Sequence, residues 1–306
     1  MRDALGDALV ELGAEYKELC VVGADTTGSL KLSAFGSKYP ERMFNVGIAE
    51  QNMIGISAGL ALSGKKVVCG SYAVFVPGRA VDQIRNTVAY LGLDVKIVGS
   101  HGGLSTGPDG GSHQALEDIS IMRSMANMKV IVPCDYGSAH ELILQAARET
   151  GPCYIRLARP TSQPVYQTGV TLKIGKPEVL REGRDVTIAA CGLLVQEALK
   201  AHTSLKEAGV SSKVVDVHTI KPLDSLFVEE CARETGAFVT AEDHNIHGGL
   251  GSAIAECVTE LYPVKVIKVG VKDSFGESGE PAELYEKYGL TERNITQACL
   301  KAVRQK

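Results

Sequence analysis

Short runs of β-branched and small apolar residues alternate with segments of helical periodicity along most of this chain, and that alternation confines it to a largely parallel α/β architecture. In the first half the spacing predicts strands at Cys20–Ala24, Met43–Val46, Val67–Ser71, Val95–Gly99, Val130–Val132 and Cys153–Leu157. Helices are expected between them at 2–18, 49–63, 79–91, 114–126 and 137–149. Asp3 reads as the N-cap of the first helix and Gly64 as the glycine that closes the second. The rhythm breaks once, at Arg159-Pro160-Thr161-Ser162-Gln163-Pro164, and resumes with strands near 186–191, 213–217, 237–241 and 265–269. Helices at 193–208, 224–235, 250–261 and 291–304 complete the second series. The expectation is α/β, with two domains over 1–160 and 177–306, each a mostly parallel sheet with helices on both faces, joined by an extended linker at 161–176. A length of 306 residues suits two such units.

Composition removes several function classes. The net charge of −4 leaves no basic field for nucleic acid, and the absence of Trp with only 5% aromatic residues disfavours base-stacking surfaces. The eight cysteines include no Cys-x-x-Cys pair, and most lie in apolar runs such as Val67-Val68-Cys69. They read as buried free thiols of a cytosolic protein rather than a zinc site or a disulfide frame. Met1 opens directly into an amphipathic pattern without a leader, and no apolar run of about 18 residues follows. A cytoplasmic protein that does not cross a membrane is expected.

Three familiar motifs are approached but not completed. Gly59–Lys66 resembles a phosphate loop but lacks the terminal Ser or Thr and lies at a helix-to-strand junction, the reverse of what an anion cradle needs. Gly249-Leu250-Gly251-Ser252-Ala253-Ile254 has Ile254 where a dinucleotide turn has its third glycine, and reads as a tight turn packing a helix on a sheet. Gly55-Ile56-Ser57-Ala58-Gly59 has the form of a nucleophile elbow, with Asp109 and His113 following in hydrolase order, but the residues before Ser57 are helical rather than extended. A serine hydrolase is the remote rival.

Two segments carry chemistry more convincingly. Phe44–Asn52 ends a strand and opens a helix with the carboxylate of Glu50 in its first turn; taken alone, this reads as a helix-dipole glutamate. Gly99–Gln114 is a long glycine-rich loop after the fourth strand, at the carboxyl edge where open sheets bind ligands. It presents His101, Asp109 and His113, groups that a merely connecting loop does not need.

Together these segments resemble the transketolase family of thiamine-diphosphate enzymes. The resemblance rests on Gly23-Ala24-Asp25 with Ser29, on Asn45–Glu50, on Tyr72-Ala73-Val74-Phe75, and on His101 through Asp109-Gly110-Gly111-Ser112-His113-Gln114. Arg156, Arg159 and Phe275-Gly276-Glu277-Ser278 extend it toward the end of the chain. It covers essentially the whole sequence but only the second half of a full-length transketolase, so 1–160 corresponds to the pyrimidine-binding domain and 177–306 to the C-terminal domain. The family's Gly-Asp-Gly…Asn motif, which holds the metal, does not occur. The resemblance therefore implies the C-terminal subunit of a split enzyme, with an N-terminal, diphosphate-binding partner that holds magnesium or calcium, in an α2β2 assembly. No metal ligand is expected on this chain.

The resemblance also assigns roles. Glu50 hydrogen-bonds the cofactor's pyrimidine nitrogen and drives removal of the thiazolium C2 proton, for which it needs a proton, favoured by burial against Phe75 and Tyr72. Phe75 packs on the pyrimidine with Tyr72 beside it, and Asp25 lies near the thiazolium. Ser29, His101 and Arg159 meet the phosphorylated sugar, with Arg156 the alternative to Arg159 as the phosphate ligand. Asp109 accepts from a sugar hydroxyl and selects stereochemistry, and His113 contacts the donor's C1 hydroxyl and the developing oxyanion. The implied activity is transfer of a two-carbon ketol unit between sugar phosphates in the pentose phosphate pathway. The alternatives within the family are 1-deoxy-D-xylulose-5-phosphate synthase and the β subunit of a 2-oxo-acid dehydrogenase; a non-catalytic regulatory half is a further one. His140, His202, His244 and His247 are expected to be packed or solvated rather than functional.

Overall fold

The computed structural model describes residues 1–306. The first series of strands is β1 (Leu19–Gly23), β2 (Met43–Asn45), β3 (Lys66–Tyr72), β4 (Val95–Ser100), β5 (Lys129–Ile131) and β6 (Cys153–Arg156). The second is β7 (Glu178–Arg181), β8 (Val186–Ala190), β9 (Ser212–Asp216), β10 (Thr219–Lys221), β11 (Ala237–Asn245) and β12 (Lys265–Val271). The helices are α1 (Arg2–Glu15), α2 (Ser33–Lys38), α3 (Glu50–Leu62), α4 (Phe75–Gln83), α5 (Asp118–Ser124), α6 (Tyr136–Arg148), α7 (Leu194–Glu207), α8 (Ser225–Thr235), α9 (Leu250–Leu261), α10 (Pro281–Tyr288) and α11 (Glu292–Arg304).

The strands form a seven-stranded sheet, ordered β10-β5-β6-β4-β3-β1-β2, and a five-stranded sheet, ordered β12-β11-β8-β9-β7. Both are parallel except for one edge strand each, β10 against β5 and β7 against β9. Alternation along the strands explains the layers. In the first sheet Val21, Val68 and Val98 face α1 and α6, while Val22, Cys69 and Ile97 face α3 and α4. In the second, Ile188 and Val214 meet α7 and α11, while Ala189, Val215 and Phe238 meet α8 and α9. That last layer is continuous with the α3–α4 layer of the first sheet, so the two sheets share one core.

Several boundaries differ from the sequence reading. Asp3 is not the N-cap: Met1 occupies that position, and Asp3 lies in the first turn, paired with Lys31 at 3.3 Å. The helix expected at 79–91 starts earlier, at Phe75, and continues from Ile84 to Ala89 in wider π-type turns. The helix expected from 114 starts at Asp118, because residues 114–117 are held by the loop before it. The short elements α2, β7, β10 and α10 carried too little periodicity to be read. Gly64 does follow the end of α3 in a left-handed conformation, φ +80°. The Gly249–Ile254 turn packs α9 on its sheet: the Leu250 and Gly251 N–H groups donate to Glu242 at 2.7 and 2.8 Å. A protein carboxylate thus fills the place a phosphate would take. All eight cysteines are free, and only Cys257 is not fully buried.

The segment between the two series of strands is docked rather than loose. Asp135 caps α6 through Ser138 and accepts the Val165 and Tyr166 N–H groups on its other oxygen, both at 2.7 Å. The Tyr166 hydroxyl donates at 3.0 Å to Asp216, a fully buried residue at the end of β9. Burial raises the Asp216 carboxyl from its ordinary 3.8 to about 7, against the pull of Tyr166 and Cys134. A raised native pKa gives stability that is complete below the unfolded value and is lost as pH rises through the native one. Asp216→Asn removes that dependence while keeping the acceptor for Tyr166. The stability difference between variant and parent, from urea unfolding, is expected to move in the variant's favour by about 1.4 kcal/mol per pH unit between pH ~4 and ~7 and to be flat outside that window. A difference independent of pH would refute the assignment.

Candidate active site

The seven-stranded sheet reverses its winding at β1, which pairs with β2 on one side and β3 on the other. Open α/β sheets bind ligands in the crevice such a reversal leaves at the carboxyl ends of the strands. Tyr72 ends β3, and Asp25, Glu50, Phe75 and His101 follow the carboxyl ends of strands around that point.

Glu50 is the first residue of α3 and is 3% exposed. Its Oε1 accepts from the Ser71 hydroxyl at 3.1 Å, and its Oε2 is ion-paired with Arg79 at 2.8 Å. The carboxylate therefore meets an arginine and a serine, where the sequence reading placed apolar burial against Phe75 and Tyr72. The Arg79 guanidinium lies 3.9 Å over the centre of the Phe75 ring, one helical turn back on α4. That i,i+4 spacing is legible in sequence; the pairing with a residue 29 positions earlier is not.

Beside the carboxylate stands an aromatic wall. Tyr72 and Phe75 stack at 5.6 Å with 12° between their planes, Tyr72 stacks on His101 at 4.0 Å, and His113 meets Phe75 edge-on at 5.2 Å. The Tyr72 hydroxyl donates to Ser29 at 3.1 Å. Asp25 adopts a left-handed conformation, φ +60°, and its N–H donates to Asn45 at 2.9 Å. For a residue that is not glycine this backbone is costly and is kept where geometry matters.

The loop brings the remaining candidates together. His101 also has φ +60°, is almost fully buried, and shares a 2.8 Å hydrogen bond with Ser100 through Nδ1. Burial, reinforced by Arg2 and Arg159, lowers its pKa to about 3. It is neutral at any physiological pH and can offer a hydrogen bond but no charge. Arg159 supplies the charge: it lies 3.2 Å from Asp109 and donates to the Thr106 carbonyl. Arg156 is engaged elsewhere through Nε and Nη2. It is buried, pairs with Asp118 at 2.8 Å, and donates to the Ala115 and Asp243 carbonyls. Ser57 is buried inside α3 with its hydroxyl on the Met53 carbonyl at 2.7 Å, so it is no nucleophile. His244 is buried in the second unit, and His140 lies near Glu11 at 3.6 Å, both apart from this cluster.

A flat aromatic face beside a buried carboxylate fits an aminopyrimidine, which offers a ring to stack and a ring nitrogen to hydrogen-bond. No group of three or more His, Cys, Asp or Glu side chains is arranged to hold a metal ion. The pairing of Glu50 with Arg79 is open to a stability test. Arg79→Ala leaves a buried carboxylate with one hydroxyl donor, and a loss of about 1–2 kcal/mol is expected, less than for a fully buried pair because Arg79 is half-exposed. Adding Glu50→Gln should recover most of that loss, since an amide needs no cation. A double-mutant cycle in urea that gives simple additivity would contradict the pairing.

Comparison with known proteins places the whole chain. Residues 1–164 match the family model described as transketolase, pyrimidine binding domain, and residues 175–295 the model described as transketolase, C-terminal domain. A putative transketolase C-terminal section from Methanocaldococcus jannaschii is 44% identical over 100% of this chain and 96% of its own length. A 6-deoxy-6-sulfo-D-fructose transketolase subunit from a Clostridium species is 41% identical, over 100% of this chain and 95% of its own. Among solved structures, a split-gene transketolase chain in an inactive β4 tetramer superposes with a TM-score of 0.91 and 46% identity, covering 99% of this chain and 97% of that one.

Proposed function

This chain belongs to the transketolase family, and we propose that it is the C-terminal subunit of a two-chain enzyme that moves a two-carbon ketol unit from a ketose phosphate to an aldose phosphate. The observation that carries this reading is the convergence of Glu50, the Tyr72–Phe75 wall, His101, Asp109, His113 and Arg159 at the carboxyl edge of one sheet. Thiamine diphosphate, when bound, supplies the carbanion chemistry of such a transfer. Its diphosphate and its magnesium or calcium belong to an N-terminal partner subunit, with α2β2 as the assembly.

On this reading each residue has a defined task. Glu50 holds a proton at the pyrimidine nitrogen, and Arg79, half-exposed on a long side chain, is the group that gives way when that nitrogen arrives. Phe75 and Tyr72 stack on the pyrimidine, and Asp25 holds its carboxylate toward the thiazolium end. His113 donates toward the oxygen on which charge develops. Asp109 accepts from a sugar hydroxyl, while Ser29, neutral His101 and cationic Arg159 bind the phosphate end.

The chain alone, given thiamine diphosphate and magnesium, is expected to show no ketol transfer between xylulose 5-phosphate and ribose 5-phosphate. Adding the N-terminal subunit should restore it; robust turnover by the single chain, or turnover of pyruvate with glyceraldehyde 3-phosphate instead, would overturn the reading. In the restored complex, Glu50→Gln should lower turnover by ~10²–10⁴ and slow exchange of the cofactor's C2 proton seen by NMR. A helix-dipole glutamate would instead cost roughly 0.3–1 kcal/mol of stability and leave exchange as in the parent. Asp109→Ala should cost about 10–100-fold in turnover. That loss should be larger for sugars carrying the matching hydroxyl than for a short α-hydroxyaldehyde without it, and equal losses would remove Asp109 from stereochemical selection.

A further inference from the structure

The loop that carries His101, Asp109 and His113 is gripped from outside its own sheet. Asp243 lies near the end of β11, in the five-stranded sheet, and is 4% exposed. One carboxylate oxygen accepts the Leu104 N–H at 2.9 Å; the other accepts the Ser105 N–H at 3.2 Å and the Tyr285 hydroxyl of α10 at 2.8 Å. Leu104–Asp109 forms tight 3₁₀ turns broken by a kink at Gly107, φ +76°, and the N–H groups that open the first turn have no partner within it. Asp243 supplies that partner. Gly103, just before, has φ +79°, and a Cβ there would run into the Asp243 carboxylate.

From this grip the hydrogen bonds lead back to the substrate-facing groups. The Ser105 hydroxyl donates to the Gly102 carbonyl at 2.9 Å, and the Thr106 hydroxyl to the His101 carbonyl at 2.7 Å. The Thr106 carbonyl accepts from Arg159. So the backbone of His101, held at its left-handed φ, and the guanidinium of Arg159 both rest on the segment that Asp243 fixes. A second tie runs alongside, from the Gln114 side chain to the Glu277 carbonyl at 2.9 Å. Burial pushes the Asp243 carboxyl up, while Arg156 and the loop N–H groups pull it down.

We propose that Asp243 is a positioning residue through which the C-terminal domain sets the phosphate-binding end of the site, His101 and Arg159, by anchoring the Leu104–Thr106 backbone. The inference rests on the functional reading above for what the loop binds, but not for how the loop is held. Loss of the anchor loosens the loop at His101 and Arg159 without touching Glu50 or the Tyr72–Phe75 stack, which lie on other elements. It therefore acts on recognition of phosphorylated sugars and leaves cofactor activation alone.

The test has two arms. In the full chain by itself, amide hydrogen exchange followed by mass spectrometry compares the parent with Asp243→Asn and the milder Tyr285→Phe. Leu104 and Ser105 are expected to exchange about 10-fold faster or more in Asp243→Asn, and less so in Tyr285→Phe, while β4 and α5 keep parental protection. In the complex with the N-terminal subunit, Asp243→Asn should raise KM for a sugar phosphate by about 10-fold. KM for an unphosphorylated short aldehyde and the C2-proton exchange rate should stay as in the parent. Unchanged protection at Leu104 and Ser105 in both variants overturns the anchor. Loosened amides with equal KM changes for both aldehydes overturn its link to phosphate recognition. Should Asp243→Asn fail to fold, Tyr285→Phe carries both arms with the same criteria. If the complex shows no ketol transfer at all, the functional reading fails while the exchange arm still decides the anchor.

Discussion

The buried pairing of Arg156 with Asp118 is the contact on which the rest of this molecule depends. Arg156 ends β6, Asp118 opens α5, and Arg156 reaches on to the Asp243 carbonyl on β11. Tyr154 adds a 2.7 Å hydrogen bond to the same Asp118 oxygen. A guanidinium taken out of water is tolerable only when its donors are met, and here Nε and Nη2 are bound to oxygens of three different segments. Removing one partner would strand the other charges in the interior. Such a network adds little net stability over an apolar core, but through Nη2 and the Asp243 carbonyl it ties the first sheet to the second.

Around that tie the carboxyl edges of both sheets face each other. Gly102, Val132 and Arg156 from the first face Cys191, Gly192 and Asp243 from the second across a nearly filled gap. Backbone hydrogen bonds cross it, from Val132 to His218 and from Gly192 to Val132. The second sheet has the open parallel architecture that elsewhere binds nucleotides, yet its carboxyl edge is closed by the first domain, and its glycine turn is occupied by Glu242. Its contribution is mechanical. Asp243, Tyr285 and the backbone around Glu277 support the loop beneath the site, and β10 extends the first sheet.

What sequence could reveal follows from the range of each interaction. Strands buried on both faces and long amphipathic helices announce themselves locally, so β1, β3, β4, β8 and β9 and the helices α6, α7, α9 and α11 lie close to their expected spans, while β11 runs four residues past its own, to Asn245. Edge strands of three or four residues such as β7 and β10, and the short α10 after its proline, depend on packing partners far along the chain. The candidate site divides in the same way. His101, Asp109 and His113 stand out in sequence because a connecting loop has no need of them, whereas Glu50 taken alone reads as a helix-dipole residue and joins them through the resemblance. Arg79, Ser71 and Asp243 do not stand out, since each acts across a sheet or a domain boundary. One trace of Asp243 was present: Glu242 and Asp243 end an otherwise apolar strand, and charges at that point need a reason. Arg156 and Arg159 differ in which way the side chain faces, and sequence does not show it: Arg156 is buried on Asp118, and Arg159 is one-third exposed beside Asp109.

Two of the acids named in the chemistry, Glu50 and Asp109, are met by a cation of their own chain, but the two pairs differ in strength. Asp109 and Arg159 are each about one-third exposed at 3.2 Å, a setting in which an ion pair is worth roughly 0–1 kcal/mol and opens readily to a ligand. Glu50 is nearly dry while Arg79 is half-exposed, so the carboxylate depends on this pair far more than the guanidinium does. A ligand approaching Glu50 therefore exchanges places with Arg79 rather than with water, and must offer a hydrogen bond good enough to replace a charged one. A ring nitrogen that shares a proton with the carboxylate meets that demand, and an apolar ring face alone does not. The released guanidinium loses little, because solvent is within its reach. The asymmetry of exposure thus favours occupants that can bond to the acid over those that only stack beside it.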